Sequence, residues 1–291
     1  MKKKYNPYPI WLTFPSIFFI AAFYLFPIVL GIGLAFTSWS FHNLEMEFIG
    51  LENFRSVLKD PDFFVSVQHT LRYAVVILVL RNVFAMILAL GMNRKMRSTN
   101  FLRTVYFLPS VLSYVVVGIM FIAMLRMSGM VNQLLSAIVG MQVEIPWIDS
   151  PKMSLISVMM LDLWVWSGFH GVLLLNGLQT IDESYYEAAK IDGANSWKTF
   201  TRITLPLMIP SIRMSFVLTM IGALRVFEQC MVLTYGGPGN SSMTVNMYVY
   251  RLFGLGFYSK SSAVETMLAI VIFTLTFIIT KLFQKKEMEV S

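Results

Sequence analysis

The stretch Asn176-Gly-Leu-Gln-Thr-Ile-Asp-Glu-Ser-Tyr-Tyr-Glu-Ala-Ala-Lys-Ile-Asp-Gly-Ala-Asn-Ser-Trp-Lys-Thr-Phe-Thr-Arg-Ile-Thr-Leu-Pro-Leu-Met-Ile-Pro210 decides how the rest of the chain is read. It is polar, and apolar runs long enough to cross a bilayer lie on both sides of it, so it joins two spans through water. Glu187 to Lys190 are strong helix formers, Gly193 can end a helix, and Pro206 forbids uninterrupted helix through its own position. The segment predicts a short helix, a bend, and a second short amphipathic helix at the membrane face.

Working outward, the chain of 291 residues is 56% hydrophobic and 13% charged. A soluble domain of that length needs more polar surface, so lipid is the solvent for most of it. The net charge of +7 does not call for nucleic acid, because the basic residues flank apolar runs. The lone Cys230 cannot form an internal disulfide and reads as a packing residue; no Cys/His cluster has metal-ligand spacing. The basic amino end resembles a secretory signal, but the apolar run behind it continues from Ile10 to Phe36, which predicts an uncleaved first span.

Six spans are expected, at 10–36, 71–93, 104–126, 154–176, 209–232 and 263–283. Each must be helical, since an open strand leaves backbone groups unpaired in lipid. Lys2, Lys3, Lys4, Arg94, Lys95, Arg97, Arg103, Lys190, Lys198, Arg202, Lys281, Lys285 and Lys286 fall on one set of connections. Arg55, Lys59, Arg126, Lys152, Arg251 and Lys260 are spread over the longer opposite set. The positive-inside rule then puts both termini and the Glu187 loop in the cytoplasm.

The spacing of Glu187, Ala188, Ala189, Gly193, Ile203, Leu205 and Pro206 resembles the EAA loop of permease subunits of binding-protein-dependent ATP-binding-cassette importers, and Ile191-Asp192-Gly193-Ala194 resembles the sugar-transporting branch. So do Gly50-Leu51-Glu52-Asn53-Phe54, the opening of the third span from Arg103 to Ser110, and the turn Thr234-Tyr235-Gly236-Gly237-Pro238-Gly239-Asn240-Ser241, where Tyr235 stands in place of a usual glycine. Phe257 to Ala263 departs from that family's pattern. The resemblance implies an all-α integral membrane protein with the type I importer permease fold: a single membrane domain over 1–291, a core bundle over 71–283, and the coupling loop at 182–206.

It also implies the partners: a second permease subunit, two ATPase subunits that bind the ATP, and an extracytoplasmic sugar-binding protein, in a bacterial or archaeal cell membrane. No Walker A sequence occurs in the chain, so the chain is expected to be a transport subunit and not an enzyme, with no cofactor of its own. Glu187, Ala188, Ala189, Asp192 and Gly193 are then the contacts to the ATPase.

The fourth span carries Asp162, Trp164, Trp166, His170 and Asn176. An ionisable group there faces a bundle interior or a cavity, unless Asp162 lies near enough to the outer interface to reach water. Arg225, Glu228 and Gln229 load the fifth span similarly; on a continuous helix Arg225 and Gln229 share a face, and Arg225 can pair with Glu228. By resemblance to the maltose-transporting branch, ligand contacts fall on Ser110, Tyr114, Asp162, Trp164, Val165, Trp166, Arg225 and Val226, with Gln229 beside them. Trp164 and Trp166, two apart, cannot both point into a cavity, and Trp164 is the expected stacking residue. The expected cargo is an oligosaccharide or a modified sugar, including an acidic one that Arg225 pairs with. The competing reading is a secondary, ion-coupled transporter, which typically shows repeat symmetry and needs no coupling loop.

Overall fold

A computed structural model of the chain describes residues 10–93 and 99–290. Lys2, Lys3, Lys4, Arg94, Lys95 and Arg97, which carry part of the expected orientation, lie outside the described residues, as does the side chain of Lys286. Among the described residues every regular element is helical, and the only β features are the isolated bridges Thr37–Phe48 and Ser40–Asn43. The chain divides into two compact units. One comprises the residues up to Asp60 with Val249–Ala269; the other comprises Pro61–Tyr248 and the residues from Ile270 onward.

In the first unit, α1 (Trp11–Leu34) is long and apolar enough to cross a membrane, and none of its apolar window is buried. Such a surface is stable only against lipid or another apolar face. The connection after it is tied down by polar clips. Asn53, at the start of α2 (Glu52–Val57), is buried and donates to the carbonyls of Ala35 at 2.9 Å and Thr37 at 2.8 Å. Phe36 and Phe54 pack with ring centroids 5.2 Å apart. The Gly50-Leu51-Glu52-Asn53-Phe54 segment is thus a structural clasp, its Gly50 at φ +61° opening the turn into the helix. Within this unit the Phe41 N–H also donates to Gly256 O at 2.8 Å, and the Ser259 N–H to Trp39 O at 3.1 Å.

The second unit is a helical bundle. In chain order it holds α3 (Pro61–Met92), α4 (Thr99–Phe107), α5 (Tyr114–Leu125), α6 (Met130–Val139), α7 (Ser154–Gln179), α8 (Glu183–Ile191), α9 (Ser196–Leu207), α10 (Ile209–Leu224) and α11 (Glu228–Leu233). Helix α12 (Val245–Gly254) and the long α13 (Tyr258–Val290) follow. The core forms where α3 lies along α7: Ala85, Ala89 and Met92 pack on Leu174, Leu175 and Leu178, with Met208 closing the cluster. Lipid tails are as apolar as leucine, so burial from water does not drive this contact; close packing and interhelical hydrogen bonds do. Small residues permit the approach. A Cβ on Gly168 would lie 1.7 Å from the Tyr106 carbonyl oxygen of α4, one on Gly177 2.2 Å from Ser211 Oγ, and one on Gly118 1.9 Å from Val232 Cγ1.

Among the described residues five helical stretches are long and apolar enough to span, or six when the pair Ser196–Leu207 and Ile209–Leu224, bent by 69°, is taken as one broken span. Two expected spans are corrected. The third, expected over 104–126 with Pro109 marking a kink or a helix start near its beginning, is fully interrupted: α4 ends at Phe107, a 3-10 turn covers Leu108–Val111, and α5 starts at Tyr114 with Ser113 as its N-cap. Pro109 is the reason, because its ring lacks an N–H and collides with the preceding turn. The fifth, expected to be continuous over 209–232, stops at Leu224; Arg225 sits at φ −99°, ψ 15°, and Phe227 at φ −145°, ψ −61°, before α11 begins.

Candidate functional site

Both breaks fall beside one polar cluster in the second unit. Asp162, two turns into α7, is 1% exposed, and its Oδ2 accepts from the Arg81 guanidinium of α3 in a buried ion pair. Its other oxygen, Oδ1, accepts from Gln229 Nε2 of α11 at 2.9 Å. The same amide nitrogen donates to Tyr114 Oη, at the start of α5, at 2.9 Å, and the Trp166 indole N–H of α7 donates to that same Oη. Four helices therefore converge on a chain that runs Arg81, Asp162, Gln229, Tyr114, Trp166. A buried carboxylate is tolerated in a span only when paired and hydrogen-bonded, and both conditions are met here.

The broken helices explain how Tyr114 and Gln229 reach each other. Each stands in the first turn of a helix restarted inside the bundle. The freed backbone groups find partners: Val226 O accepts from Thr244 Oγ1 at 2.9 Å, and Phe107 O from Ser110 Oγ at 2.7 Å. A second buried network, toward the loop, ties three helices together. His170 Nδ1 and Ser215 Oγ are 2.9 Å apart, Ser215 Oγ donates to Asn82 Oδ1 at 2.6 Å, and Asn82 Nδ2 donates to Thr219 Oγ1 at 3.4 Å.

Of the residues expected at the ligand site, Tyr114, Asp162, Trp166 and Gln229 share this cluster. Val165 and Val226 are buried, Ser110 is half-buried, and Arg225 is exposed. The tryptophan in the cluster is Trp166, not Trp164; Trp164 is 42% exposed and lies with its ring 5.7 Å from that of Phe121. The expected common face of Arg225 and Gln229, and the helical pairing of Arg225 with Glu228, are corrected by the break, which leaves Arg225 just past the end of α10 and puts Gln229 in α11. Asp162 does not reach water: its partner is Arg81. Sequence reasoning passed over Arg81, although an arginine in the middle of the apolar run 71–93 is itself the signal of an internal partner.

At the other end of α7 stands the polar segment 176–210. Asp182 is the N-cap of α8, its Oδ1 accepting from the Ser184 N–H at 2.8 Å, and that bond holds its carboxyl below the usual carboxylate range. The helix ends with Gly193 at φ +70°; the Gly193 N–H donates to Lys190 O at 3.1 Å and the Ala194 N–H to Ala189 O at 2.9 Å. This is a glycine-terminated cap in which the left-handed residue lets the chain turn back on the last carbonyls. Ala189 is buried, whereas Glu187, Ala188, Asp192 and Gly193 are exposed. Three large apolar side chains stand out around them: Tyr185 at 52% exposure, Ile191 at 87% and Trp197 at 71%. Asn195 Oδ1 then caps α9 through the Lys198 N–H at 2.8 Å.

A helical bundle with a polar cluster at two helix breaks and a capped, apolar-tipped loop is the build of a multi-pass membrane transport subunit. The profile of the family described as binding-protein-dependent transport system inner membrane component matches residues 81–288. The chain is 32% identical over 282 residues to the lactose transport system permease protein LacF of Rhizobium radiobacter, covering 95% of this chain and 94% of that one. It is 31% identical over 295 residues to the multiple sugar-binding transport system permease protein MsmF of Streptococcus mutans, covering 99% of each. Its fold is similar, with a TM-score of 0.82 and 25% identity over 94% of this chain and 96% of the other, to a crystal structure of a bacterial ABC transporter involved in the import of the acidic polysaccharide alginate. The chain belongs to the family of binding-protein-dependent transport system inner membrane components, and its place is the cell membrane.

Proposed function

We propose that this chain is one of two membrane subunits of an ATP-driven importer of oligosaccharides, and that it lines half of the path. The observation that carries the reading is the convergence of Tyr114, Trp166 and Gln229 on two helix breaks, because sugar recognition needs an aromatic surface with hydrogen-bonding groups beside it. Similarity to permeases named for lactose and multiple-sugar transport supports the substrate class. The exposed Arg225 gives an acidic sugar a counter-charge, in keeping with the alginate importer of like fold. Ser110, Tyr114, Trp166, Arg225 and Gln229 are the ligand contacts in this reading, with Val165 and Val226 packing behind them. Trp164 stands at the edge of the path, and Asp162 within the wall.

Energy comes from outside the chain. Glu187, Ala188, Ala189, Asp192 and Gly193 form the contact with a separate ATPase subunit, the small alanines allowing close approach and Tyr185, Ile191 and Trp197 supplying the apolar grip. ATP is bound by two such ATPase subunits, a second permease completes the path, and an extracytoplasmic binding protein delivers the sugar. Both termini and the α8 loop face the cytoplasm.

The test is reconstitution of the assembled importer in proteoliposomes with its binding protein. Uptake of an oligosaccharide that requires ATP on the loop side supports the reading. Glu187→Lys and Gly193→Pro are expected to leave the protein inserted while uptake falls to background. Undiminished uptake in both variants overturns the coupling assignment.

A further inference from the structure

Hydrogen-bond polarity in the cluster is fixed by its one acceptor-only member. Asp162, ionised against Arg81, can only accept, so the Gln229 group facing it must be the NH2. Both Gln229 N–H donors then have partners, one on Asp162 Oδ1 and the other on Tyr114 Oη. Tyr114 Oη accepts two N–H bonds, from Gln229 and from the Trp166 indole, which turns its own O–H proton away from the network. No donor among the described residues reaches Gln229 Oε1. What remains on offer is a donor, the Tyr114 O–H, next to an acceptor, the Gln229 carbonyl.

We infer that Arg81 and Asp162 are positioning residues for substrate selection: the pair orients the Gln229 amide so that this level of the path presents a neutral donor and acceptor suited to a sugar hydroxyl, not a carboxylate. A hydroxyl can accept from Tyr114 and donate to Gln229 at once, whereas a carboxylate has no proton for the Gln229 carbonyl. Asp162 itself touches no cargo, since both its oxygens are held inside the wall. Any acidic group on the cargo belongs near Arg225. This inference rests on the oligosaccharide reading above.

The experiment moves the negative charge one residue along the chain of hydrogen bonds. Gln229→Glu alone sets two carboxylates against each other. Combined with Asp162→Asn, it leaves Arg81 paired with an amide oxygen and lets the amide NH2 so introduced donate to the new carboxylate, so total charge and side-chain volume are conserved. The new carboxylate can only accept, however, so Tyr114 must donate its proton to it, and the outward donor is lost. Melting of the nanodisc-embedded importer and equilibrium binding of tritiated lactose, maltotriose and an alginate trisaccharide are measured together.

Gln229→Glu is expected to lower the melting temperature by several degrees, and the double variant to recover most of that loss. Binding of whichever probe the unaltered importer holds is expected to weaken at least tenfold in Gln229→Glu, and to stay at least tenfold weakened in the double variant. Recovery of binding together with stability would reduce the pair to scaffolding and overturn the inference. A double variant no more stable than Gln229→Glu overturns the assigned polarity. If the unaltered importer binds none of the three probes, the sugar reading fails, and the stability comparison still decides the polarity.

Discussion

Gly168 is the point at which the bundle has least room, and Gly168→Ala is the perturbation whose outcome the structure specifies most closely. The added Cβ meets Tyr106 O at 1.7 Å, Tyr106 C at 2.4 Å and Phe107 N at 3.2 Å. All three are backbone atoms, so no rotamer change relieves the clash. Real Cβ contacts essentially never fall below 3.0 Å, so α7 and α4 must separate by more than ~1 Å. Overpacking of this kind costs about 1–3 kcal/mol, and with backbone on the opposing side the upper figure applies. At roughly 2–4 °C per kcal/mol, the melting temperature falls by roughly 6–12 °C. The separation also pulls on Trp166, two residues away, and so on its bond to Tyr114. The assay is a fluorescence-detected size-exclusion melt of the assembled importer in detergent. Gly91→Ala is the control, since nothing lies within 4 Å of a Cβ there; it gains about 0.5–1 kcal/mol from helix propensity. If Gly168→Ala melts where Gly91→Ala does, the packing argument is refuted.

Arg81→Ala strips the buried Asp162 of its counter-charge and is expected to cost about 3–5 kcal/mol, visible as loss of assembled complex in the membrane fraction. Tyr235→Gly is expected to stabilise by about 1 kcal/mol, because Tyr235 is exposed and sits at φ +53°, a left-handed conformation costly for a side-chain-bearing residue; a lowered melting temperature contradicts this. The Asp182 cap has a depressed pKa, so its contribution is present above the ordinary carboxylate range and is lost as pH falls through the lowered value. Amide exchange at Ser184 is therefore expected to stay protected at neutral pH and to open in acid once intrinsic rates are corrected, with Asp182→Ala open throughout.

Much of this architecture was legible from hydropathy and helix punctuation. Four spans fall where apolar length puts them, and the loop helix ends at Gly193 as its glycine predicts. The extent of the break at Leu108–Ser113, and the whole of the one at Arg225–Phe227, were not legible, because lipid selects for apolar side chains whether or not the backbone beneath them is helical. Pro109 flagged the first break without fixing its extent. Nothing in Ala223-Leu224-Arg225-Val226-Phe227 flags the second, and assuming a continuous helix put Arg225 and Gln229 on one face. The cluster was half visible: Asp162, Trp166 and Gln229 stood out as types and Tyr114 through the family resemblance, but which oxygen meets which nitrogen depends on Arg81, some eighty residues away in sequence. Choosing between Trp164 and Trp166 required the rotation of α7 about its axis, which an apolar run with polar residues on several sides does not encode.

Helix α8 has only nine residues, fewer than an isolated helix needs to persist in water, yet both its ends are stoppered, by Asp182 at one and by Gly193 and Ala194 at the other. A segment closed this way cannot unravel from its tips when pressed. It behaves as a rigid tooth, not a spring, so in the proposed coupling a push at Tyr185 or Ile191 moves the whole helix instead of being absorbed as fraying.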